Sequence, residues 1–393
     1  MIYSRKLLPI LQKQINSKQI IVLTGMRRVG KTTLYQNIFK QISSPNKFFL
    51  DIENPLDQKI FEEEDFNNII FNLKKLGLDP KSKIYLFLDE IQAMPKIIMA
   101  IKYLYDHYQI KFFLTGSSSY YLKNLFPESL SGRKFIFELY PLDFEEFLIF
   151  KEYKKEFYVD FLKKDKNKNL ISYEKTKKYY DEYEKFGGFP EVVLEKDFSQ
   201  KKLILNDIFK SYFEKDVKSL SDFKQLNILR DLILLLMERV GSKIDISKLA
   251  SELSVSRDTI YSYLHFLENT YFIHLISPFS HNVDREVSGT KKVYFCDQGL
   301  LNQLAKISSG ALFENSIFNN LLKYGQINYY QKRSGAEIDF IIDKKIALEV
   351  KSKGTESDYH KLKKIASLIK IKHFFIITKE FFNQNGFIPA IEV

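Results

Sequence analysis

Apolar residues in the first part of the chain fall into short runs that alternate with amphipathic stretches. The apolar runs predict β-strands at residues 19–24, 47–51, 84–89 and 110–116. Apolar residues at helical spacing predict helices at residues 5–17, 31–42, 65–76 and 96–108. Strands that alternate with helices are typical of a parallel sheet with helices on both faces. We therefore predict an α/β fold with a doubly wound parallel sheet.

The pattern changes after this sheet. Residues 151–178 are lysine-rich without clean periodicity and predict an exposed helical insertion, and the stretches 203–220 and 222–240 predict helices of a lid behind the sheet. Short helices at 246–253 and 257–269, joined by a turn with Ser256 as N-cap, precede a strand at 271–276. This is the order of a winged helix-turn-helix.

The last segment predicts a separate α/β domain. Its elements are a helix at 309–324, strands at 326–331, 337–342 and 346–351, a helix at 357–370 and a strand at 373–378. A chain of 393 residues exceeds what one hydrophobic core usually organises. We predict four domains, at residues 1–150, 151–221, 222–300 and 301–393.

Charge and composition narrow the class of protein. A net charge of +11 indicates an acidic partner, and DNA is the partner that we expect. The single cysteine, Cys296, excludes an intrachain disulfide and fits a cytoplasmic protein. The longest apolar runs, such as residues 232–237, are far shorter than the ~20 residues that a membrane-spanning helix needs, so we expect no membrane segment.

A glycine-rich loop follows the first predicted strand. Gly25, Gly30, Lys31 and Thr32 have the spacing of a phosphate-binding loop that opens a helix. Glycine lets the backbone turn so that successive amides point at phosphate oxygens, Lys31 reaches the β- and γ-phosphates, and Thr32 offers a hydroxyl to Mg²⁺. The predicted ATP-binding residues are Gly25, Met26, Arg27, Arg28, Val29, Gly30, Lys31, Thr32 and Thr33.

Two carboxylates end the strand at 84–89. Asp89 is predicted to bind the Mg²⁺ sphere, and Glu90 to orient or deprotonate the attacking water. The next strand ends in the hydroxyls of Thr115, Ser117 and Ser118, of which Ser117 is the candidate γ-phosphate sensor. Arg133 is a candidate transition-state arginine, in its own chain or on a neighbouring subunit, and an ordinary surface salt bridge is the alternative.

The motifs at 25–33, 88–92, 114–118, 131–133, 140–147 and 187–191 together resemble those of archaeal and bacterial AAA/STAND-type P-loop ATPases. That resemblance covers essentially the whole chain. It implies ATP and Mg²⁺ as cofactors, and a P-loop domain joined to a winged helix and a C-terminal domain. In the winged helix, Arg257 and Ser262 are predicted to face outward, whereas Ile260, Tyr263, Leu264 and Leu267 form a packing stripe. Direct DNA contact and packing against the nucleotide domain both remain open for it.

Carboxylates recur at fixed positions in the last segment. Asp339 lies on one predicted strand, Glu349 and Lys351 share a face of the next, and Glu314 lies on the preceding helix. Glu337 shares the strand face of Asp339. Such carboxylates can hold Mg²⁺ or Mn²⁺, and a lysine beside them can assist attack on a phosphodiester. The arrangement resembles the PD-(D/E)xK nuclease superfamily, with Glu314, Asp339 and Glu349 as metal ligands, and residues 344–372 are rich in lysine.

Two functions follow from these motifs. The first is a Mg²⁺-dependent ATPase whose nucleotide state controls a winged helix and a nuclease-like domain on DNA. The second is a STAND-type regulatory switch, in which an inactive nuclease fold binds a protein or nucleic-acid partner and Glu349 and Lys351 form only an ion pair. Homo-oligomer formation is open under both.

Overall fold

The computed structural model describes residues 3–117, 130, 132–217, 226–332 and 335–393. They divide into two compact units. The first contains the residues up to Tyr140 together with Asn269–Tyr271, and the second contains Pro141–Glu268 and Phe272–Val393. Each unit has its own five-stranded sheet, whereas the division into four domains stays a prediction.

A parallel sheet forms the centre of the first unit. Its strands are β1 (Ile20–Thr24), β2 (Lys47–Asp51), β3 (Ile84–Asp89), β4 (Ile110–Gly116) and β5 (Lys134–Glu138), in the order β2-β3-β4-β1-β5. The predicted parallel α/β sheet is confirmed. Strand β5 was not predicted, because Phe135 and Ile136 at this edge are both more than two-fifths exposed and blur the apolar pattern.

Helices cover both faces of this sheet. They are Leu8–Lys13, Lys31–Gln41, Pro55–Gln58, Asn67–Lys75 and Ile97–His107. Alternate residues of the strands, such as Leu88 and Leu114, pack with Ile69 and Ile101 in one core. On the opposite face Tyr35 of the helix Lys31–Gln41 packs edge-on against Phe87 and Phe113. The period-two alternation of strand side chains therefore gives two apolar layers.

The sheet of the second unit is mixed. Its strands are β8 (Ile327–Gln331), β9 (Glu337–Ile342), β10 (Ile346–Lys351), β11 (His373–Thr378) and β12 (Phe387–Pro389), in the order β12-β11-β10-β9-β8. Strands β8, β9 and β10 pair antiparallel, and β10, β11 and β12 pair parallel. A separate antiparallel hairpin consists of β6 (Ile273–Ile276) and β7 (Lys292–Phe295).

Helices make up most of the remainder of this unit. They are Phe144–Phe150, Phe161–Asn167, Leu170–Phe186, Pro190–Leu194, Phe198–Ser211, Leu226–Glu238, Ile246–Glu252, Arg257–Asn269, Val283–Ser288, Gln298–Leu304, Ser309–Leu321 and Glu356–Leu368. No helix in the described ranges is long and apolar enough to cross a membrane. Residues 218–225, where the two predicted lid helices meet, lie outside the described residues.

The prediction of an exposed insertion at 151–178 was wrong in one respect. The helix Leu170–Phe186 begins within it and buries Tyr173, Thr176, Tyr180 and Tyr183. These residues recur at three- and four-residue spacing and so form one apolar face, while the lysines occupy the other. Lysine abundance hid this stripe, because the net composition of a two-faced helix averages its faces.

The Gly187-Gly188 turn has a structural role. The buried carboxylate of Asp297 accepts hydrogen bonds from the backbone amides of Gly188 at 2.6 Å and Leu300 at 2.9 Å. A Cβ on Gly187, whose φ is +78°, would overlap the Asp297 carboxylate, and a Cβ on Gly188 would overlap the carbonyl of Leu142. Only glycine fits at both positions, so the motif joins two parts of this unit.

Candidate functional site

The glycine-rich loop connects β1 to the helix Lys31–Gln41. Gly25 has a φ of +148°, and a Cβ there would overlap the carbonyl oxygen of Leu139. Gly30, at +97°, is the N-cap residue, and no side chain caps this helix. The loop therefore combines a backbone that only glycine permits with an N-terminus whose amides and positive dipole end favour phosphate.

Side chains of the loop divide into buried and exposed groups. Met26 and Val29 are buried, Arg28 and Thr33 are exposed, and Arg27 pairs with Glu53 at 3.3 Å. Lys31 is buried, and its ammonium donates to the carbonyls of Gly25 at 2.9 Å and Met26 at 3.1 Å. The ammonium of Lys31 thus lies directly over the loop.

An arginine that sequence reasoning missed supports the loop. The guanidinium of Arg5 is buried and donates to the carbonyl of Val29 at 2.8 Å and to that of Tyr140 at 2.7 Å. Its planar fork can bridge two carbonyls at once, which a lysine does less well. The only available signal was an arginine in a chain whose basic residues are nearly all lysine.

Asp89 lies at the end of β3, where it meets the loop helix. The hydroxyl of Thr32 donates to its Oδ2 at 2.7 Å, and the hydroxyl of Thr115 donates to its Oδ1. Burial raises the pKa of this carboxyl, and the two hydroxyl hydrogen bonds lower it. A buried carboxylate beside a threonine hydroxyl is a donor set that suits Mg²⁺, which prefers oxygen ligands.

Glu90 follows in an unusual backbone conformation. Its φ of +53° lies in the left-handed region, which costs a non-glycine residue about 1–2 kcal/mol. Its amide donates to Oγ1 of Thr115 at 2.9 Å, and its carboxylate lies 4.0 Å from the Lys31 ammonium. Strain of this kind is found where surrounding contacts hold a residue for function.

Gln92 connects Glu90 to the end of β4. Its amide nitrogen donates to the Glu90 carboxylate and, at 3.1 Å, to the hydroxyl of Ser117. Because β4 lies between β1 and β3, Thr115 and Ser117 stand between the loop and Asp89. Gln92 was missed as a site residue, and its position two residues after Glu90 was the available signal. Ser118 and Ser131 lie outside the described residues.

The prediction that Arg133 acts on phosphate in its own chain was wrong. Its carbonyl accepts from the amide of Ile20, at the start of β1, so Arg133 lies at the opposite end of the strand from the loop. Its guanidinium pairs with Asp106 at 2.9 Å. The surface salt bridge, which was the alternative, is what the structure has, and a role on a neighbouring subunit stays a prediction.

The second group of carboxylates lies in the C-terminal sheet. Asp339 on β9 accepts a hydrogen bond from the amide of Val350 at 2.8 Å. Glu349 and Lys351 on β10 form an ion pair at 2.7 Å, and Oε2 of Glu349 is buried without a hydrogen-bond partner. Burial, followed by the charge of Asp339, raises the pKa of Glu349 to about 7. Three of the predicted residues therefore lie together on two neighbouring strands.

Glu314 joins this group from the helix Ser309–Leu321. Its carboxylate accepts from the hydroxyl of Tyr294 at 2.6 Å. Burial, followed by the charge of Asp339, raises its pKa to about 7. Lys292 was missed by sequence reasoning, yet it is buried and pairs with Glu337. We call Glu314, Glu337, Asp339 and Glu349 the carboxylate cluster.

A cleft of about 600 Å³ opens beside this cluster. Glu337, Glu349 and Lys351 line one side. Lys332, Lys361 and Lys364 are further cationic residues along it. Within the described ranges, no three His, Cys, Asp or Glu side chains are arranged to hold a metal ion. The metal site at the cluster therefore stays a prediction.

Three family models match consecutive parts of the chain. An AAA domain matches residues 17–148, a domain of unknown function (DUF8612) matches residues 177–311, and another domain of unknown function (DUF4143) matches residues 309–388. An uncharacterised protein of Methanocaldococcus jannaschii is 32% identical over 82% of this chain and 72% of its own. An uncharacterised protein of Haemophilus influenzae is 30% identical over 95% of this chain and 92% of its own.

The chain belongs to the same family as these archaeal and bacterial proteins. Its order of domains is an AAA-type P-loop domain followed by DUF8612 and DUF4143. The solved structure of a Walker-type ATPase of Pyrococcus abyssi aligns with 77% of this chain and 96% of its own, with a TM-score of 0.50 and 15% sequence identity. At that identity the likeness shows the fold alone.

The family boundaries place the two sites in different domains. The loop from Gly25, together with Asp89 and Glu90, lies in the AAA domain. The carboxylate cluster lies in the DUF4143 domain, whereas Lys292 and Tyr294, which contact it, belong to the DUF8612 domain. The cluster is thus contacted from outside its own family domain, which explains why local patterns in the last segment did not reveal Lys292.

The predicted packing stripe of the helix-turn-helix is present in the DUF8612 domain. Ile260, Tyr263, Leu264 and Leu267 are all buried along the helix Arg257–Asn269. Arg257 and Ser262 are exposed, as are Tyr261 and His265. One exposed arginine is a small cationic surface for DNA, so direct readout in a groove stays a prediction.

Proposed function

We propose that this protein hydrolyses ATP in its AAA domain with the help of Mg²⁺. The observation that carries the proposal is the set of hydrogen bonds that joins Thr32, Asp89, Thr115 and Glu90 around the end of the glycine-rich loop. These residues come from three neighbouring elements, and each has the chemistry that its position in a phosphoryl-transfer site needs. Family membership supports ATP binding independently.

The donor set at Asp89 fits a magnesium ion. Thr32 and Asp89 would hold it, and its remaining ligands would be water and nucleotide oxygens. When bound, the ion bridges β- and γ-phosphate oxygens and neutralises charge that develops on them. The raised pKa of Asp89 is consistent with this assignment, because a buried carboxylate is stabilised by a nearby cation.

Glu90 is positioned to act on the attacking water. Its left-handed backbone directs it away from the strand, and Gln92 fixes its carboxylate while also bonding Ser117. Glu90 would accept a proton from the water as the water attacks the γ-phosphorus and the bond to the β–γ bridging oxygen breaks. Lys31 and the loop amides would hold the β- and γ-phosphates in line.

Glu90→Gln tests this proposal directly. The variant keeps the shape of the side chain and removes its basicity, so we expect ATP binding to persist and phosphate release to fall by about 100-fold or more. Glu62→Gln, an exposed carboxylate of the same domain, is the matched control. Lys31→Ala should weaken ATP binding itself. Phosphate release by Glu90→Gln at the wild-type rate would contradict the role of Glu90.

We infer further that the DUF4143 domain is a metal-dependent nuclease-like domain that acts on DNA. The buried, unpartnered oxygen of Glu349 beside Asp339, with Lys351 at 2.7 Å, fits a site that lacks a cation. Glu314, Asp339 and Glu349 would hold Mg²⁺ or Mn²⁺, which supplies Lewis-acid activation of water when bound. Lys351 would orient that water toward the phosphorus, and the lysines of the cleft would contact the phosphate backbone.

The nuclease is tested by cleavage of plasmid and single-stranded DNA with Mg²⁺ or Mn²⁺, with and without ATP. We expect cleavage by the wild type and its loss in Glu349→Gln. Glu356→Gln, an exposed carboxylate at the start of the helix Glu356–Leu368, should cleave normally. Intact DNA under every condition, with ATP hydrolysis present, would favour the regulatory switch with an inactive nuclease fold. A dependence on ATP would support control of this domain by the nucleotide state.

A further inference from the structure

Lys292 is a buried cation beside the carboxylate cluster, although it comes from a different family domain. It is the first residue of β7 and only 4% of its surface is exposed. Tyr294, two residues further on the same strand, donates to Glu314 at 2.6 Å. Because alternate residues of a strand share a face, both side chains point at the cluster. Strand β7 thus supplies two polar contacts to it.

Three carboxylates interact with the Lys292 ammonium. It pairs directly with Glu337, and its positive charge lowers the pKa of both Glu314 and Asp339 against the larger effect of burial. The ring of Tyr329 lies 5.3 Å from the ammonium and adds a cation–π contact. A buried ammonium among carboxylates occupies the kind of environment that a metal ion would otherwise occupy.

The charges of the cluster do not balance. Four carboxylates, Glu314, Glu337, Asp339 and Glu349, are accompanied by the ammonium groups of Lys292 and Lys351. Lys351 lies at the open cleft, whereas Lys292 lies on the closed side, beneath β7. A divalent cation that uses these carboxylates would therefore meet a fixed positive charge that it must displace or tolerate.

We propose that Lys292 is an internal cation of the carboxylate cluster that competes with the divalent metal ion for Glu337. The inference rests on the proposed metal site and names how that site is regulated. In the metal-free protein Lys292 holds Glu337 toward β7, and metal binding requires Glu337 to leave it. Lys292 is accordingly a positioning residue and a brake on metal binding.

The position of Lys292 connects this brake to the helix-turn-helix. Strand β7 pairs with β6, and Lys292 also forms an isolated bridge with Lys243. The amide of Gly241 donates to the carbonyl of Val293 at 2.9 Å, just before the helix Ile246–Glu252 begins. A shift of the helix-turn-helix would therefore move β7, and with it the ammonium that restrains Glu337.

Mn²⁺ binding to the full chain, measured by calorimetry without nucleotide, tests the inference. We expect Lys292→Met to bind Mn²⁺ roughly tenfold or more tightly than the wild type, the lower end of what one close charge does to an acidic site. Lys291→Met, the adjacent lysine, is the matched control and should bind like the wild type. Lys292→Arg keeps the charge and should also do so. Asp339→Asn identifies Mn²⁺ that is bound elsewhere.

Three results would overturn the inference. Lys292→Met could bind Mn²⁺ with wild-type affinity, it could lose stability without any gain in affinity, or no Asp339-dependent Mn²⁺ binding could be found in any variant. If Lys292→Met does not fold, Lys292→Gln replaces it with the same expectation. A tighter Mn²⁺ site without any DNA cleavage would refute the nuclease and leave the role of Lys292 standing, so the two failures are distinguishable.

Discussion

Thr115 is the residue on which the proposed ATP site depends most strongly outside its catalytic groups. Its hydroxyl is buried, donates to Asp89 and accepts from the amide of Glu90 at 2.9 Å. Thr115→Val keeps the shape and removes both hydrogen bonds. The bond to a charged acceptor contributes about 1.5–3 kcal/mol, and an unsatisfied buried amide costs about 1–3 kcal/mol. We expect Thr115→Val to lower the free energy of unfolding by about 3 kcal/mol.

The same substitution should slow hydrolysis more than it weakens binding. Without Thr115 the left-handed backbone of Glu90 loses the hydrogen bond that stabilises it, so the carboxylate is held less well for attack on the water. We expect kcat to fall by about 10- to 100-fold, the effect of losing about 1.4–2.7 kcal/mol of positioning. KM should change little, since the phosphates are bound by the loop from Gly25.

Thr115→Ser is the matched control, because it keeps the hydroxyl and loses one methyl group. We expect it to cost about 1 kcal/mol of stability and to leave kcat near the wild-type value. Urea unfolding gives the stability difference, and phosphate release over a range of ATP concentrations separates kcat from KM. The reasoning fails if Thr115→Val hydrolyses ATP at the wild-type rate, or if serine and valine are equally damaging.

Three further predictions concern positions outside this network. Gly25→Ala should abolish ATP binding, measured with a fluorescent nucleotide, because its Cβ would overlap the Leu139 carbonyl at a φ of +148°; retained binding would contradict this packing. Burial raises the pKa of Asp297 to about 6, so the stability that this carboxyl contributes is fully present below its unfolded value near 4 and is lost as pH rises through 6, by at most about 3 kcal/mol. Asp297→Asn cannot ionise, and its urea midpoint should depend less on pH between 4 and 7 than that of the wild type; parallel curves would refute the assignment. Arg133→Ala should hydrolyse ATP normally in dilute protein and lose no more than about 1 kcal/mol of stability, because its exposed pair with Asp106 lies at the far end of β1. A large loss of kcat that depends on protein concentration would instead support a role for Arg133 across subunits.

Local patterns were sufficient for much of the fold and for the ATP site. The predicted bounds of β2, β3, β4, β9, β10 and β11 coincide with the structure. Buried strands of a sheet with both faces covered read as continuous apolar runs, and this signal needs no knowledge of partners. The spacing of Gly25 and Gly30 likewise encodes a backbone conformation that neighbouring residues alone determine. Sequence by itself therefore determined the α/β class, the phosphate loop and the carboxylates at the ends of strands.

Tertiary structure alone decided which distant residues complete each site. Arg5 reaches the carbonyls of Val29 and Tyr140, and Lys292 reaches Glu337. Arg133 sits in a motif that suggested catalysis, yet the parallel direction of β5 carries it to the opposite end of the sheet. Such pairings depend on strand direction, strand order and the packing of distant segments. These are long-range properties, which the period of hydrophobic residues along a segment does not contain.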